Sequence, residues 1–153
     1  MSPPLKDVVR IMSDERPRVI RYSHSAGPVR SKFLLSLRDY QKIMGTRCSS
    51  CGRVHVPARS TCPKCFEDME EWVEVGQEGI LESYTVVYKP EPVYIADTPF
   101  VLGIIKLDGA DTSIVHRLGE IDSEKVRMGM RVRAVFSEKP KGDIRDIKYF
   151  KPS

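Results

Sequence analysis

The sequence predicts a mainly β protein with helices near its N-terminus, in which a small metal-binding ribbon precedes a barrel of five strands. Three observations support this fold class. All four cysteines lie within residues 48–65; apolar residues recur at helical spacing before that stretch; and β-rich runs with alternating patterning follow it. With 153 residues, the chain has room for a metal module and a barrel of roughly 80 residues.

Three segments are therefore expected: an N-terminal helical segment over 1–45, a zinc ribbon over 46–70 and a barrel over 71–153. In the first segment, a short helix is predicted from Leu5 to about Met12, ending before Pro17. A second helix is predicted from about Pro28 to Met44, with Gly45 as its stop. Its apolar stripe is expected to pack on the protein's own ribbon or barrel rather than on a partner.

The ribbon segment, CSSCGRVHVPARSTCPKC, holds two C-x-x-C pairs separated by ten residues: Cys48 with Cys51, and Cys62 with Cys65. Two such knuckles facing each other place four thiolates at the corners of a tetrahedron, which suits zinc. Four protein ligands leave no open position, so the ion is expected to order the segment structurally and to take no part in chemistry. A compact hairpin of the rubredoxin type can span the ten residues between the two pairs.

Other interpretations of the cysteines stay open at this point. A rubredoxin-like site accepts iron as well as zinc. Two disulfides, a redox-active C-x-x-C or four free thiols are less well supported, because the flanks offer no βαβ context and nothing indicates secretion. His55 lies between the pairs and is interpreted as a polar residue on a ribbon strand, not as a fifth ligand.

Beyond the ribbon, β-rich runs are predicted at 72–75, 79–88, 100–107, 113–118, 131–136 and 144–150. Asp108 and Gly109 supply a hairpin signal between two of these runs. The segment IDSEKVRMGM leaves room for one or two helical turns before the fourth barrel strand. Five strands with a short helix between the third and fourth is the order of an OB-fold.

Candidate ligand contacts on the barrel are few. Tyr88, Tyr94 and Phe100 border a Pro-rich loop; they either stack on a base or an adenine ring, or cap the open end of the barrel. Asp97, Asp108 and Asp111 are interpreted as solvated turn formers.

The formal charge of +4 is too small to indicate a nucleic-acid partner by itself. Residues 1–35 contain seven basic and three acidic residues, so the whole excess lies there. Such an arm suits either an anionic partner or a merely solvated surface. The absence of Asn, with only two Gln, suggests a thermophilic source. No signal-like or membrane-spanning run is present, so a cytoplasmic protein is expected.

Catalysis is not expected from the reactive side chains of this sequence. The cysteines are assigned to metal, and His24, His55 and His116 stand in no recognisable triad. No phosphate loop or G-x-G-x-x-G occurs in the sequence.

Taken together, the C-x-x-C-G knuckle followed by P-x-R-x-x-C-P-x-C, the strand led by Trp72, and the segments VLGIIKLDG, VRMGMRVRAVF and KYFKP resemble the acyl-CoA-associated zinc-ribbon and OB-fold family. Ala58 stands where many members carry a second proline. The resemblance covers nearly the whole chain. It implies a non-catalytic accessory protein, often archaeal, that bridges or supports thiolase and hydroxymethylglutaryl-CoA synthase enzymes and handles acyl-CoA.

Carried to this sequence, the resemblance implies that Cys48, Cys51, Cys62 and Cys65 hold the zinc and that the ribbon and N-terminal helices dock a partner enzyme. Coenzyme A offers phosphates for basic side chains and an adenine for stacking. The candidates for contacting it are Arg21, Arg30, Lys32 and Phe33. The alternative function is single-stranded nucleic-acid binding, because a zinc ribbon with an OB-fold also serves that purpose. The balanced charge of the barrel disfavours it.

Overall fold

The structure is a computed structural model, and it describes residues 23–89 and 97–153. The helix expected from Leu5 to Met12 lies outside the described residues, as do Arg21 and Tyr94. Within them, one α-helix and eight strands follow in the order α1 (Gly27–Tyr40), β1 (Met44–Arg47), β2 (Val54–His55), β3 (Glu71–Glu74), β4 (Glu78–Val87), β5 (Phe100–Leu107), β6 (Ser113–Leu118), β7 (Arg131–Phe136) and β8 (Ile147–Pro152).

Helix α1 is shorter than its sequence pattern predicted. It begins with Pro28 in its first turn and ends where Gln41 adopts a left-handed conformation, φ 52°. Gln41 N donates to Leu37 O at 3.1 Å, and Lys42 N donates to Ser36 O at 3.2 Å. The expected continuation to Met44 is wrong, because Ile43 is fully buried and its carbonyl accepts from Val75 N at 3.0 Å. The apolar residues after the helix therefore serve a sheet. The periodicity of a short apolar run does not show whether the run forms a helix or a strand.

The ribbon is a three-stranded antiparallel sheet with β1 at its centre, in the order β2-β1-β3. Thr46 lies opposite His55 on one side and Trp72 on the other. Gly45 allows the close approach of β2, since a Cβ there would lie 2.8 Å from the carbonyl oxygen of His55. Gly45 was expected to end the helix, but the helix ends at Tyr40 and Gly45 instead lets two ribbon strands pack closely.

The barrel is closed by five strands in the order β4-β5-β6-β8-β7, in which β6 and β8 are parallel and the other pairs antiparallel. This confirms the OB-fold prediction, including a 3₁₀ turn at Ser123–Lys125 between the third and fourth strands. The last strand begins at Ile147 rather than Ile144. The buried carboxylate of Asp146 accepts from the N–H groups at 141 and 142, both at 2.7 Å, and holds the chain in a turn there.

Ribbon, helix and barrel share one apolar core. Phe33 and Leu37 from α1 join Val54 and Val56 from the ribbon and the inward side chains of the barrel strands. This confirms that the stripe of α1 packs inside the protein. Among the described residues, no helix has the length and apolar character needed to cross a membrane.

The tip between β5 and β6 clamps the ribbon to the barrel. Asp111 accepts from Val54 N through its carboxylate and donates its own N–H to Val54 O, each at 2.9 Å. Thr112 Oγ1 accepts from Val56 N at 2.8 Å and donates to Val56 O at 3.0 Å. Asp111 is exposed and lies in a bend, as the sequence predicted, but its carboxylate also has a role in holding the ribbon that the sequence did not indicate. Asp108 also has a partner, because Arg131 binds its carboxylate with two nitrogens, at 2.8 and 2.6 Å.

Candidate metal centre and adjoining cavity

The two C-x-x-C pairs form turns with the same hydrogen bonds. In the first, Cys48 N donates to Arg53 O at 2.9 Å and Gly52 N donates to Cys48 O at 2.8 Å. In the second, Cys62 N donates to Glu67 O and Phe66 N donates to Cys62 O, both at 2.9 Å. The two turns therefore have the same local structure, and each contributes two thiols to one cluster.

The four sulfur atoms, from Cys48, Cys51, Cys62 and Cys65, all lie within 4.8 Å of one another. A tetrahedral zinc site with Zn–S bonds of about 2.3 Å requires S···S edges of roughly 3.8 Å, and Cys51 and Cys62 are separated by 3.9 Å. Cys48 and Cys62 are fully buried, and Met69 packs beneath them. The donor set thus fits a structural zinc ion held by four cysteines.

The charges of these thiols favour a cation at their centre. Backbone N–H groups, chiefly that of Cys65, lower the pKa of Cys62 to about 6. The neighbouring Cys51 thiol, with burial and Cys48, raises the pKa of Cys65 to about 12. Burial and mutual proximity thus oppose the ionisation of all four thiols together, and a metal ion bound at their centre would balance the charge of four thiolates.

His55 supports this cluster from β2. Its side chain is buried, and Nε2 lies 3.7 Å from the Cys62 sulfur, to which the ring donates in the tautomer that carries its proton on Nε2. His55 lies on strand β2, as predicted, and the four sulfur atoms form a group without it; that it does not bind the metal stays a prediction. Its Nδ1 atom is buried without a hydrogen-bond partner among residues 23–89 and 97–153.

A cavity of about 610 Å³ lies between the first turn of α1 and the ribbon loop 57–60. Arg30, Phe33 and Arg59 are among its lining residues. The first turn of α1 contains no acidic residue, and its N-cap residue, Ala26, provides no side-chain acceptor. Ser25 Oγ accepts from Gly27 N at 3.2 Å and Pro28 has no N–H, so the next N–H groups of this turn are the ones that add positive potential to this wall. The arrangement suits an anionic ligand with an apolar portion.

The structure brings together two of the four candidate ligand contacts, Arg30 and Phe33. Phe33 is only 2% exposed and contributes mainly to the core. Lys32 projects elsewhere, with its ammonium 4.3 Å from the centre of the Trp72 ring. Sequence reasoning missed Arg59, which lies far from α1 along the chain, and no spacing pattern connects it with Arg30.

Two family models match the chain. Residues 38–70 match the model described as the ChsH2 rubredoxin-like zinc ribbon domain, and residues 72–137 match the model described as the ChsH2 C-terminal OB-fold domain. The first match includes all four cysteines.

Among curated proteins, the chain is similar to two archaeal proteins, each named a DUF35 domain-containing scaffold protein. That of Methanocaldococcus jannaschii is 35% identical over 121 residues, covering 76% of this chain and 85% of the relative. That of Methanothermobacter thermautotrophicus is 27% identical over 115 residues, covering 72% of this chain and 86% of the relative.

Two solved structures share the fold. A DUF35-family protein of unknown function from Sulfolobus solfataricus superimposes with a TM-score of 0.63 at 26% identity, covering 83% of this chain and 87% of that one. The Ltp2-ChsH2(DUF35) aldolase superimposes with a TM-score of 0.60 at 24% identity, covering 90% of this chain and 98% of that one. The second likeness establishes the fold alone.

Proposed function

The chain belongs to the DUF35 family, whose members join a ChsH2-type zinc ribbon to an OB-fold domain, and on this premise we propose that it is a non-catalytic scaffold for acyl-CoA enzymes. The expected partners are a thiolase, a hydroxymethylglutaryl-CoA synthase, or both. Both curated relatives carry the name scaffold protein. One structural neighbour is named as an aldolase that contains a DUF35 chain, ChsH2, together with a second protein, Ltp2.

The site chemistry supports a role without turnover. A zinc ion held by four cysteines has no open position for substrate or water. His55 is enclosed by the ribbon, and burial lowers the pKa of His116, which keeps that imidazole neutral within the barrel. Neither histidine faces the cavity beside α1.

The observation that carries the acyl-CoA part of the proposal is the cavity between α1 and the ribbon loop. Two guanidinium groups, from Arg30 and Arg59, and the first turn of α1 share its walls, and both kinds of group bind phosphate oxygens. Its volume of about 610 Å³ lies within the range of about 300–1,000 Å³ for small-molecule sites. We propose that it holds the phosphate-bearing part of coenzyme A. Arg21 and Lys32 stay predicted contacts.

Coenzyme A binding is tested by titration calorimetry of acetyl-CoA into the zinc-loaded chain and into the Arg30→Ala and Arg59→Ala variants. Each lost charge-assisted hydrogen bond is expected to weaken binding roughly ten- to hundredfold, from about 1.5–3 kcal/mol per bond. Arg53→Ala is the matched control, because Arg53 is exposed on the ribbon outside the cavity. Equal affinity in all four proteins would contradict the assignment of the cavity.

The scaffold role is tested by tagged purification after nuclease treatment, followed by co-expression with the thiolase and synthase of the same organism. Co-elution of either enzyme in near-equal amounts, with no acyl transfer by the isolated chain, is the expected result. Polymerase or ribosomal proteins, or a complex that nuclease destroys, would instead support the nucleic-acid alternative.

A further inference from the structure

Phe66 lies in the second knuckle at the position that Gly52 holds in the first. Each donates its N–H to the carbonyl of the first cysteine of its pair. Both have positive φ angles, 72° for Gly52 and 60° for Phe66. Glycine adopts this backbone conformation readily, whereas a bulky side chain does so only at a cost in stability. The first knuckle follows this preference and the second does not.

The aromatic ring obtains no compensating burial within the described part of the chain. Phe66 is 81% exposed, more than any other large apolar side chain there. The corresponding position in the first knuckle also faces open space, since a Cβ on Gly52 would meet no atom within 4 Å. Nothing in the folding of the ribbon requires an aromatic side chain at this point.

The surroundings of Phe66 are acidic. Phe66 helps to line a shallow recess of about 470 Å³, whose other lining residues are four acidic ones, one basic one and a serine: Glu67, Asp68, Glu70, Glu71, Arg47 and Ser49. Arg47 pairs with Glu71 at 3.0 Å. Within residues 23–89 and 97–153, Glu67 and Glu70 have no ion-pair partner, so their charges are available to an external surface.

We propose that Phe66 is a docking anchor that enters an apolar pocket on the partner enzyme, a pocket whose rim carries Lys and Arg side chains. This inference rests on the scaffold function proposed above and specifies the surface through which it acts. The four carboxylates around the ring complement a basic rim and repel nucleic-acid phosphates.

The metal-held knuckle makes Phe66 suited to this role. The backbone of the turn is fixed by its hydrogen bonds and by the four-cysteine cluster, so docking has to order only the side-chain rotamer of Phe66 and not the loop that carries it. An aromatic anchor within a polar rim is the usual arrangement of an interface hot spot. The stability that the chain loses through the positive φ of Phe66 is then offset only when the ring is buried in the complex.

The test uses the zinc-loaded full chain, with the thiolase and synthase of the same organism as probes. Phe66→Gly and Phe66→Ala both remove the ring, but only Gly also relieves the backbone conformation. We expect both variants to bind the enzyme at least about tenfold more weakly, while only Phe66→Gly raises the thermal midpoint. Met128→Ala, at an exposed apolar position on the barrel side, is the matched control and should bind as the unmodified chain does.

A charge-reversal variant tests the contribution of the acidic residues around Phe66. The double replacement Glu67→Lys and Glu70→Lys is expected to weaken binding and to reduce its salt dependence. Glu124→Lys, an exposed carboxylate outside the ribbon, is its control.

The possible failures are distinguishable. If the unmodified chain binds neither enzyme, the scaffold function and this inference both fail. If it binds and both Phe66 variants bind equally well, the anchor alone is refuted. A change in the mass of the isolated chain on Phe66→Gly, measured by light scattering, would assign the ring to self-association and overturn the proposal.

Discussion

Replacing Thr112 with Val should weaken the junction between ribbon and barrel without changing the shape of the side chain. The hydroxyl of Thr112 accepts from Val56 N and donates to Val56 O. Val is nearly isosteric with Thr but carries no hydroxyl, so the change removes both bonds and leaves the Val56 backbone groups without that partner. The remaining bonds of the junction, between Asp111 and Val54, stay in place.

The magnitude follows from the two bonds. At a net contribution of about 0.5–1.5 kcal/mol each, their loss should lower the free energy of unfolding by about 1–3 kcal/mol. If the amide of Val56 exchanges through opening of this junction, the same loss accelerates its hydrogen exchange about 5- to 150-fold. Amides in the centre of the barrel should respond only to the change in global stability.

Urea unfolding measures the first quantity and native-state hydrogen exchange the second. Thr46→Val is a matched control, because Thr46 Oγ1 makes the same pair of bonds to Arg59 N and O inside the ribbon, at 2.9 and 2.8 Å. It should cost a similar free energy but leave Val56 protected. A Thr112→Val protein with unfolding free energy within about 0.5 kcal/mol of the unmodified chain, and with unchanged exchange at Val56, would refute the clamp.

Three further predictions concern the metal, a buried imidazole and a close strand contact. Cys62→Ser should lose zinc and loosen the ribbon while amides of the barrel stay protected; full metal content by elemental analysis would contradict the ligand assignment. Burial lowers the pKa of His116 below its usual 6.5, so the unfolded chain takes up a proton first. Its unfolding free energy should fall as pH drops below about 6.5, and His116→Gln should reduce that slope in urea titrations. Gly79→Ala should destabilise the chain by more than about 3 kcal/mol, because the new Cβ would lie 2.2 Å from the backbone oxygen of Lys106; a normal thermal midpoint would show that the strands move apart.

Prediction from sequence succeeded where a local pattern determines the local structure. The strands from Phe100, Ser113 and Arg131 begin and end where the alternating runs placed them. It failed at Met44 and Ile144, where a short apolar run belongs to a neighbouring element or a buried carboxylate imposes a turn. Tertiary contacts overrode propensity at both positions.

The sequence by itself determined the metal chemistry and the order of the elements. Cysteine spacing limits the thiols to two adjacent knuckles, and strand periodicity follows from side chains that alternate between two faces. Only the tertiary structure decided which distant groups meet: Arg30 with Arg59 around one cavity, and Thr112 with Val56 across the junction. It also decided that Phe66 points outward, since exposure depends on what the rest of the chain leaves uncovered.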